Sequence, residues 1–331
     1  MKVYNEQSDK KISEQLKSIL TKIREKRNFN ANEYIEQKSD LLNEYMNKYG
    51  LKACVIAISG GIDSAIVLGI IKKASEKANS PIKRIIPMLL PVLESIGVTN
   101  QNEATIKGKE LCEELGLKPY IIDLTSVNNE IRNCLEPVIE IKGEDWAIGQ
   151  LASYSRTPIL YYTTSLLNQA GFGAIICGTT NKDEGAYLGY VGKASDGMVD
   201  VQIISDIHKS EVYQVAKELE IPESIIKATP SGDMYDNRTD ETVFGASYDF
   251  VELYLNYLNM EDIEKERLMD SLDEESKNQF DFYANNLENL HRYNLHKYMA
   301  KSPAIHLDLY DSSVKGGWDN YYKITNEWLK K

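Results

Sequence analysis

The residues best placed to do chemistry are Ser59-Gly60-Gly61-Ile62-Asp63-Ser64. They follow Ala53-Cys-Val-Ile-Ala-Ile58, an apolar run rich in β-branched residues that reads as a buried parallel strand. Ala65 to Ile71 then reads as a helix packed back on the sheet. A strand, a glycine turn and a helix start gather unpaired N–H groups at the positive end of a helix dipole, which makes an anion site. Glycine at both positions lets the backbone approach a phosphate closely and take a positive φ. Ser59 and Ser64 add hydroxyl donors. Asp63 would repel a bound phosphate unless a cation lay between them, so it implies Mg2+, a hard ion suited to carboxylate and phosphate oxygens. No lysine follows the glycines, so this is not the GxxxxGK[ST] loop of P-loop NTPases.

Ser59-Gly-Gly-Ile-Asp-Ser64 resembles the SGGxDS pyrophosphate loop of the N-type ATP pyrophosphatases. Those enzymes cleave ATP to AMP and pyrophosphate while activating a substrate oxygen as an adenylate. Further along, Gly178-Thr-Thr-Asn-Lys-Asp-Glu184 and Gly189-Tyr-Val-Gly-Lys-Ala-Ser-Asp-Gly-Met-Val-Asp200 are similar to two segments of the NAD synthetase family. Ile207-His-Lys209, Thr229-Pro-Ser231 and His296-Lys297 follow in matching order, so the resemblance spans residues 30–300.

The resemblance implies ATP contacts from Ser59, Gly60, Gly61, Ile62, Asp63, Ser64, Thr179 and Ser231, with Lys209 neutralising the phosphates. It implies Mg2+ at Asp63 and Glu184. It assigns the nicotinate dinucleotide to Arg156, Lys193, Asp200, His296 and Lys297, the last two from this subunit or its neighbour. Asp63 and Lys193 are the expected catalytic residues. The implied reaction is amidation of nicotinic acid adenine dinucleotide to NAD through an acyl-adenylate, with ATP as co-substrate, ammonia as nitrogen donor, and a homodimer as the working form. The chain departs from the family pattern at Tyr154, which stands where GNxxARxR has its first arginine, while Arg156 matches the second. Glu184 and Gly189 are one residue further apart than the pattern has, and Gly192 replaces a threonine before Lys193. A hydroxyl does not replace a planar guanidinium fork. This keeps a second expectation open, a related adenylating amide ligase or tRNA-modifying ATP pyrophosphatase acting on another substrate.

Around these residues the elements alternate. Ile12, Leu16, Leu20 and Ile23 mark an amphipathic helix, and a second helix runs from Asn30 to about Tyr49. Ile82–Pro91 reads as the second strand, Thr99–Leu115 as a helix and Lys118–Asp123 as the third strand. Residues 124–148 look less regular, and residues 149–158 lead into a helix from Ile159 to Ala170. Ala174–Thr179 is the fourth strand, followed by a glycine-containing loop over 181–200, a pattern often used to cover substrates. Helices are expected over 207–219, 241–259 and much of 262–299, with a surface or interface tail at 316–322. The βαβαβ order predicts an α/β fold, an open parallel sheet with helices on both faces. The resemblance makes it adenine nucleotide alpha hydrolase-like, within the Rossmann-like class. The expected division is an N-terminal helical extension (1–48), the nucleotide domain (49–260) and a C-terminal helical segment with tail (261–331). Ligands in such sheets bind beyond the carboxyl ends of the strands, where the Ser59 loop falls.

Composition narrows the class. A net charge of −12 argues against broad nucleic-acid binding. The four cysteines form no CxxC pair, so they read as small apolar residues in a reducing, cytoplasmic setting. The four histidines lack metal-site spacing. No apolar run is long enough for a membrane span, and the N-terminus has no signal-peptide pattern. Only about 50 residues precede the first strand, too few for the amidohydrolase domain of glutamine-dependent NAD synthetases, so free ammonia is the expected donor.

Overall fold

The computed structural model describes residues 11–93, 101–232, 238–297, 304–317 and 323–325. The polar N-terminus and tail residues 318–322 lie outside the described residues. Among the described residues, seven strands form one parallel sheet: β1 (Ala53–Ala57), β2 (Arg84–Leu89), β3 (Tyr120–Ile121), β4 (Ala174–Gly178), β5 (Val201–Gln202), β6 (Ile305–Leu307) and β7 (Lys323–Ile324). Their order is β3-β2-β1-β4-β5-β6-β7. The chain steps outward from β1 to β3, then returns to the other side of β1 as β4. The loops leaving β1 and β4 therefore diverge over the point where strand order reverses, which opens a crevice for a ligand.

Strand alternation builds a core on each face. Cys54 and Ile56 of β1 and Ile175 and Cys177 of β4 point into one layer, with Leu41 and Leu42 of helix Ala31–Lys48, Ile66 and Ile70 of helix Ile62–Glu76, and Val212 and Val215 of helix Lys209–Glu218. Val55 and Ile176 point into the opposite layer, with Leu160 of helix Arg156–Gln169. This period of two, apolar on both sides, is what a doubly covered parallel strand requires. A third cluster joins Leu16 and Leu20 of helix Glu14–Arg27 to Phe250 and Leu253 of helix Tyr248–Asn259 and Phe280 and Tyr283 of helix Glu274–Asn294. The first helix thus packs on two helices from the last third of the chain.

Local signals place the first helices. Ser13 accepts from Leu16 N–H and Asn30 from Glu33 N–H, each capping a helix start. Gly50, at φ +66°, follows the second helix in the left-handed conformation that ends it. A buried ion pair then fixes this helix to the sheet. Lys38 Nζ lies 2.8 Å from Asp206 Oδ2 and also donates to the Leu307 carbonyl of β6.

Two expectations are corrected. Residues 124–148 are not irregular: Thr125–Ile139 is a helix, and a second helix, Asp145–Tyr154, takes in the segment expected to be a lead-in. The C-terminal region expected to be helix and tail also supplies β6 and β7. Strands of two or three residues carry no period of their own. They exist because the neighbouring edge offers hydrogen bonds, as where the Asp200 carbonyl accepts from Ile305 N–H at 2.8 Å.

Candidate active site

The glycine turn leaves β1 at the carboxyl edge and feeds helix Ile62–Glu76 directly, with Gly61 as its N-cap. Gly60 takes φ +79°, and a Cβ there would lie 2.6 Å from the Ala104 carbonyl of helix Gln101–Glu114. Only glycine satisfies both constraints. Ser59 and Ser64 hydroxyls lie 3.2 Å apart, and Ser64 Oγ donates to the Gly61 carbonyl, so the turn is braced internally. Ile62 anchors it in the core.

Asp63, in the first turn of that helix, meets the segment after β4. Asn181 Nδ2 donates to Asp63 Oδ1 at 2.8 Å and to Glu184 Oε1 at 2.7 Å. Lys209 Nζ lies 2.5 Å from Asp63 Oδ2 and 3.2 Å from Glu184 Oε1. The two carboxylates are thus bridged twice, by an amide and by an ammonium. Asn181 also caps the short helix Lys182–Gly185 by accepting from Glu184 N–H. Asp183 ties this segment to the Lys209 helix, accepting from Lys209 N–H at 2.7 Å and contacting His208 Nδ1 at 2.6 Å.

Two residues that sequence reasoning missed complete the cluster. The Tyr248 hydroxyl lies 2.9 Å from Glu184 Oε1 and 2.8 Å from Asp240 Oδ2. One hydroxyl proton serves only one carboxylate at a time, and Glu184 Oε1 also accepts from Asn181 and Lys209. The Lys209 ammonium also stands 5.0 Å from the Tyr248 ring centroid. The available signal was an aspartate and a tyrosine flanking one helix turn after the Thr229 segment. Spacing alone does not say that they reach Glu184.

The electrostatics are unbalanced. Burial, reinforced by Asp63 and Asp240, pushes the Glu184 carboxyl up to about 8 despite Lys209. Burial likewise raises Asp240. Burial works against the charge on Lys209, but Asp63 and Glu184 outweigh it and hold the ammonium more firmly than usual. Burial thus favours the neutral form of Glu184, and a further cation beside it would favour the charged form.

The other expected residues fall into two places. Thr179 continues β4 at the same edge, half-buried. Exposed Ser231 pairs with Thr239, and Pro230 O accepts from Asp240 N–H, so the Thr229–Ser231 segment joins the acidic cluster. A cavity of about 220 Å³ opens there, lined by Arg24, Lys209, Ser210, Thr229, Tyr248 and Glu252 among others. On the second side, the exposed Lys193 lies in a turn whose Ala194 carbonyl accepts from Thr157 Oγ1, beside Arg156. Arg156 donates to the Leu90 carbonyl and to Gln101 Oε1. Lys297 Nζ donates to the Gly189 carbonyl at 2.9 Å, tying the C-terminal segment to this loop. His296 is exposed and contacts the Tyr293 carbonyl. Asp200 is drawn into the sheet instead: its Oδ2 accepts from Ile176 N–H of β4 at 2.7 Å. Tyr154 bonds Gln150 Oε1.

Residues 34–299 match the family model described as NAD synthase. The NH(3)-dependent NAD(+) synthetase of Alkaliphilus oremlandii is 32% identical over 232 residues, 68% of this chain and 86% of its own. That of Methanococcoides burtonii is 31% identical over 217 residues, 65% of this chain and 75% of its own. The solved NH3-dependent NAD synthetase from Campylobacter jejuni superposes with a TM-score of 0.58 at 24% identity, over 81% of this chain and 96% of that one. NMN synthetase from Francisella tularensis superposes with a TM-score of 0.61 at 23% identity, over 80% and 96%. The two solved structures establish a common fold. The family match, laid over the glycine turn and the Asp63–Glu184–Lys209 cluster, places this chain in the NAD synthase family.

Proposed function

We propose that the protein converts nicotinic acid adenine dinucleotide to NAD, using ATP and ammonia and releasing AMP and pyrophosphate. The observation that carries this reading is the convergence of Asp63, Asn181, Glu184 and Lys209 beside the glycine turn. A carboxylate resists attack by ammonia. Its oxygen first attacks the α-phosphorus of ATP, and pyrophosphate leaves. Ammonia then attacks the acyl carbon, and AMP leaves. The turn's N–H groups and Ser59 and Ser64 hold phosphate oxygens, and Lys209 offsets their charge. Thr179 and Ser231 border the ATP side, while Arg156, Lys193, His296 and Lys297 serve the dinucleotide.

The acidic cluster suits Mg2+. Asp63 and Glu184 are hard oxygen donors already within reach of one ammonium, and Glu184 is held in surroundings that penalise its charge. When bound, the ion would supply charge neutralisation at the phosphates. Incubation with ATP, Mg2+, ammonium and the dinucleotide should yield NAD, AMP and pyrophosphate in equal amounts. Release of ADP and phosphate would overturn the reaction class. Preferred turnover of nicotinic acid mononucleotide would overturn the substrate.

The proposal includes a homodimer. Helix Thr125–Ile139 exposes Val127, Ile131, Leu135 and Val138, spaced by four, four and three residues along one face, with Val138 78% exposed. Ile141 and Trp146 beyond it are exposed as well. Such a run marks an association surface on a chain of this size. Val138→Asp is expected to convert a dimer to a monomer in light scattering at micromolar concentration; an unchanged mass would remove this helix from the interface. The cysteines Cys54, Cys112, Cys134 and Cys177 are all free thiols, which supports a cytoplasmic setting. No helix among the described residues is long and apolar enough to cross a membrane.

A further inference from the structure

Helix Glu14–Arg27 lies outside the matched residues 34–299, yet Arg27 reaches the helix that carries Lys209 directly, and Arg24 reaches it through helix Tyr248–Asn259. Arg27 grips Glu211 with both arms of its guanidinium: Nε donates to Oε1, and Nη2 lies 2.9 Å from Oε2. The same Nη2 donates to the Asp206 carbonyl at 2.9 Å, and the guanidinium stands 4.4 Å from the Tyr310 ring centroid. Glu211 in turn accepts from His208 N–H at 2.9 Å, closing the first turn of the helix. Arg24 does the same one turn back. It holds Glu252 through Nε at 3.1 Å and Nη2 at 2.6 Å, and Asp249 at 2.7 Å. Glu252 accepts from Ser210 Oγ at 2.8 Å. The contacts therefore land on residues 208, 210 and 211, on both sides of Lys209.

The physical consequence concerns where the Lys209 ammonium can stand. The first turn of a helix carries unpaired N–H groups and frays unless it is capped. Here two carboxylates cap it: Asp183 accepts from Lys209 N–H, and Glu211, whose side chain is 4% exposed, accepts from His208 N–H. A buried carboxylate without a counter-ion is strongly disfavoured. Arg27 removes that penalty, and its fork leaves the carboxylate one orientation. A long lysine side chain is only as well aimed as the backbone that carries it.

We propose that the first helix is a positioning clamp for Lys209. Arg27 acts through Glu211 as the principal positioning residue, and Arg24 acts through Glu252 and Ser210 as the second. The clamp rests on the reading of Lys209 as an ATP-phosphate contact.

The full-length chain is to be tested as Arg27→Met, Lys209→Met and the double variant, with Mg–ATP affinity by calorimetry, kcat and KM for both substrates, and thermal melting. Arg27→Met is expected to weaken ATP binding about tenfold when Lys209 is present and to leave it unchanged in the Lys209→Met background, the signature of one residue acting through another. The dinucleotide KM should stay within about twofold, a split that general loss of folded protein would not produce. Equal weakening in both backgrounds, or no weakening at all, would overturn the clamp. If Lys209→Met alone leaves ATP affinity intact, the ATP reading of Lys209 fails, and the clamp falls with it by a distinguishable route. Arg24 is more exposed than Arg27, so Arg24→Met offers a milder variant with the same expected pattern should Arg27→Met not fold.

Discussion

Asp63→Asn is expected to lower NAD formation by about a thousandfold while leaving the far-UV circular dichroism unchanged. The substitution keeps the side-chain volume, and Asn181 can still donate to the remaining carbonyl oxygen. What disappears is the charge. Lys209 loses the closer of its two carboxylate contacts, at 2.5 Å, and keeps only the longer one to Glu184, at 3.2 Å. The proposed Mg2+ site loses one of its two acidic donors. Transfer of the adenylyl group builds negative charge on phosphate oxygens, so a site that has lost its cation placement stabilises the transition state less than the bound substrate. The expected signature is a fall in kcat that added Mg2+ does not restore. A near-normal rate at saturating Mg2+ would remove Asp63 from the metal site and leave it a helix-start residue that orients Lys209.

The largest expected effect on stability lies away from the chemistry. Lys38→Met should destabilise the protein by about 3–5 kcal/mol, because it removes one partner of a buried ion pair and strands the other. Both side chains are fully buried. Asp206 would keep the Tyr34 hydroxyl at 2.9 Å and the Leu309 N–H at 2.8 Å, but no ammonium. The loss should appear as a lower urea midpoint with an unchanged slope. Replacing Asp206 as well is expected to recover only part of it, since Tyr34 and Leu309 would then lose their acceptor. A change under about 1 kcal/mol would mean that those two donors alone satisfy Asp206. The pair also touches the site indirectly. Asp206 stands three residues before Lys209, and its carbonyl accepts from Arg27.

The parts of the molecule legible in the sequence are those whose cause is local. Ala53–Ile58 reads as a strand because six apolar residues in a row suit only a doubly covered position. Ser59-Gly60-Gly61 reads as an anion turn because glycine and a helix start are adjacent in the chain. Helices Glu14–Arg27 and Ala31–Lys48 announce themselves through apolar spacing, the second also through Asn30 at its start. Helix Thr125–Ile139 was less legible although its apolar residues have helical spacing. That face is turned to solvent, and Pro137 sits in the last turn.

The sequence by itself determined the phosphate turn, the presence of the first four strands and the family, because backbone conformation and motif order are written in neighbouring residues. It marked Asp63, Glu184 and Lys209 as candidates, and the resemblance paired Asp63 with Glu184 around one cation. Only the tertiary structure decided that one ammonium sits between the two carboxylates, that Asn181 bridges them, and that Tyr248 and Asp240 close the cluster. It also drew Asp200 into the sheet and brought Arg27 against Glu211, 184 residues away. Contacts of that kind depend on which strand edges and helix faces meet. The burial of the whole core sets that meeting, and no local spacing records it.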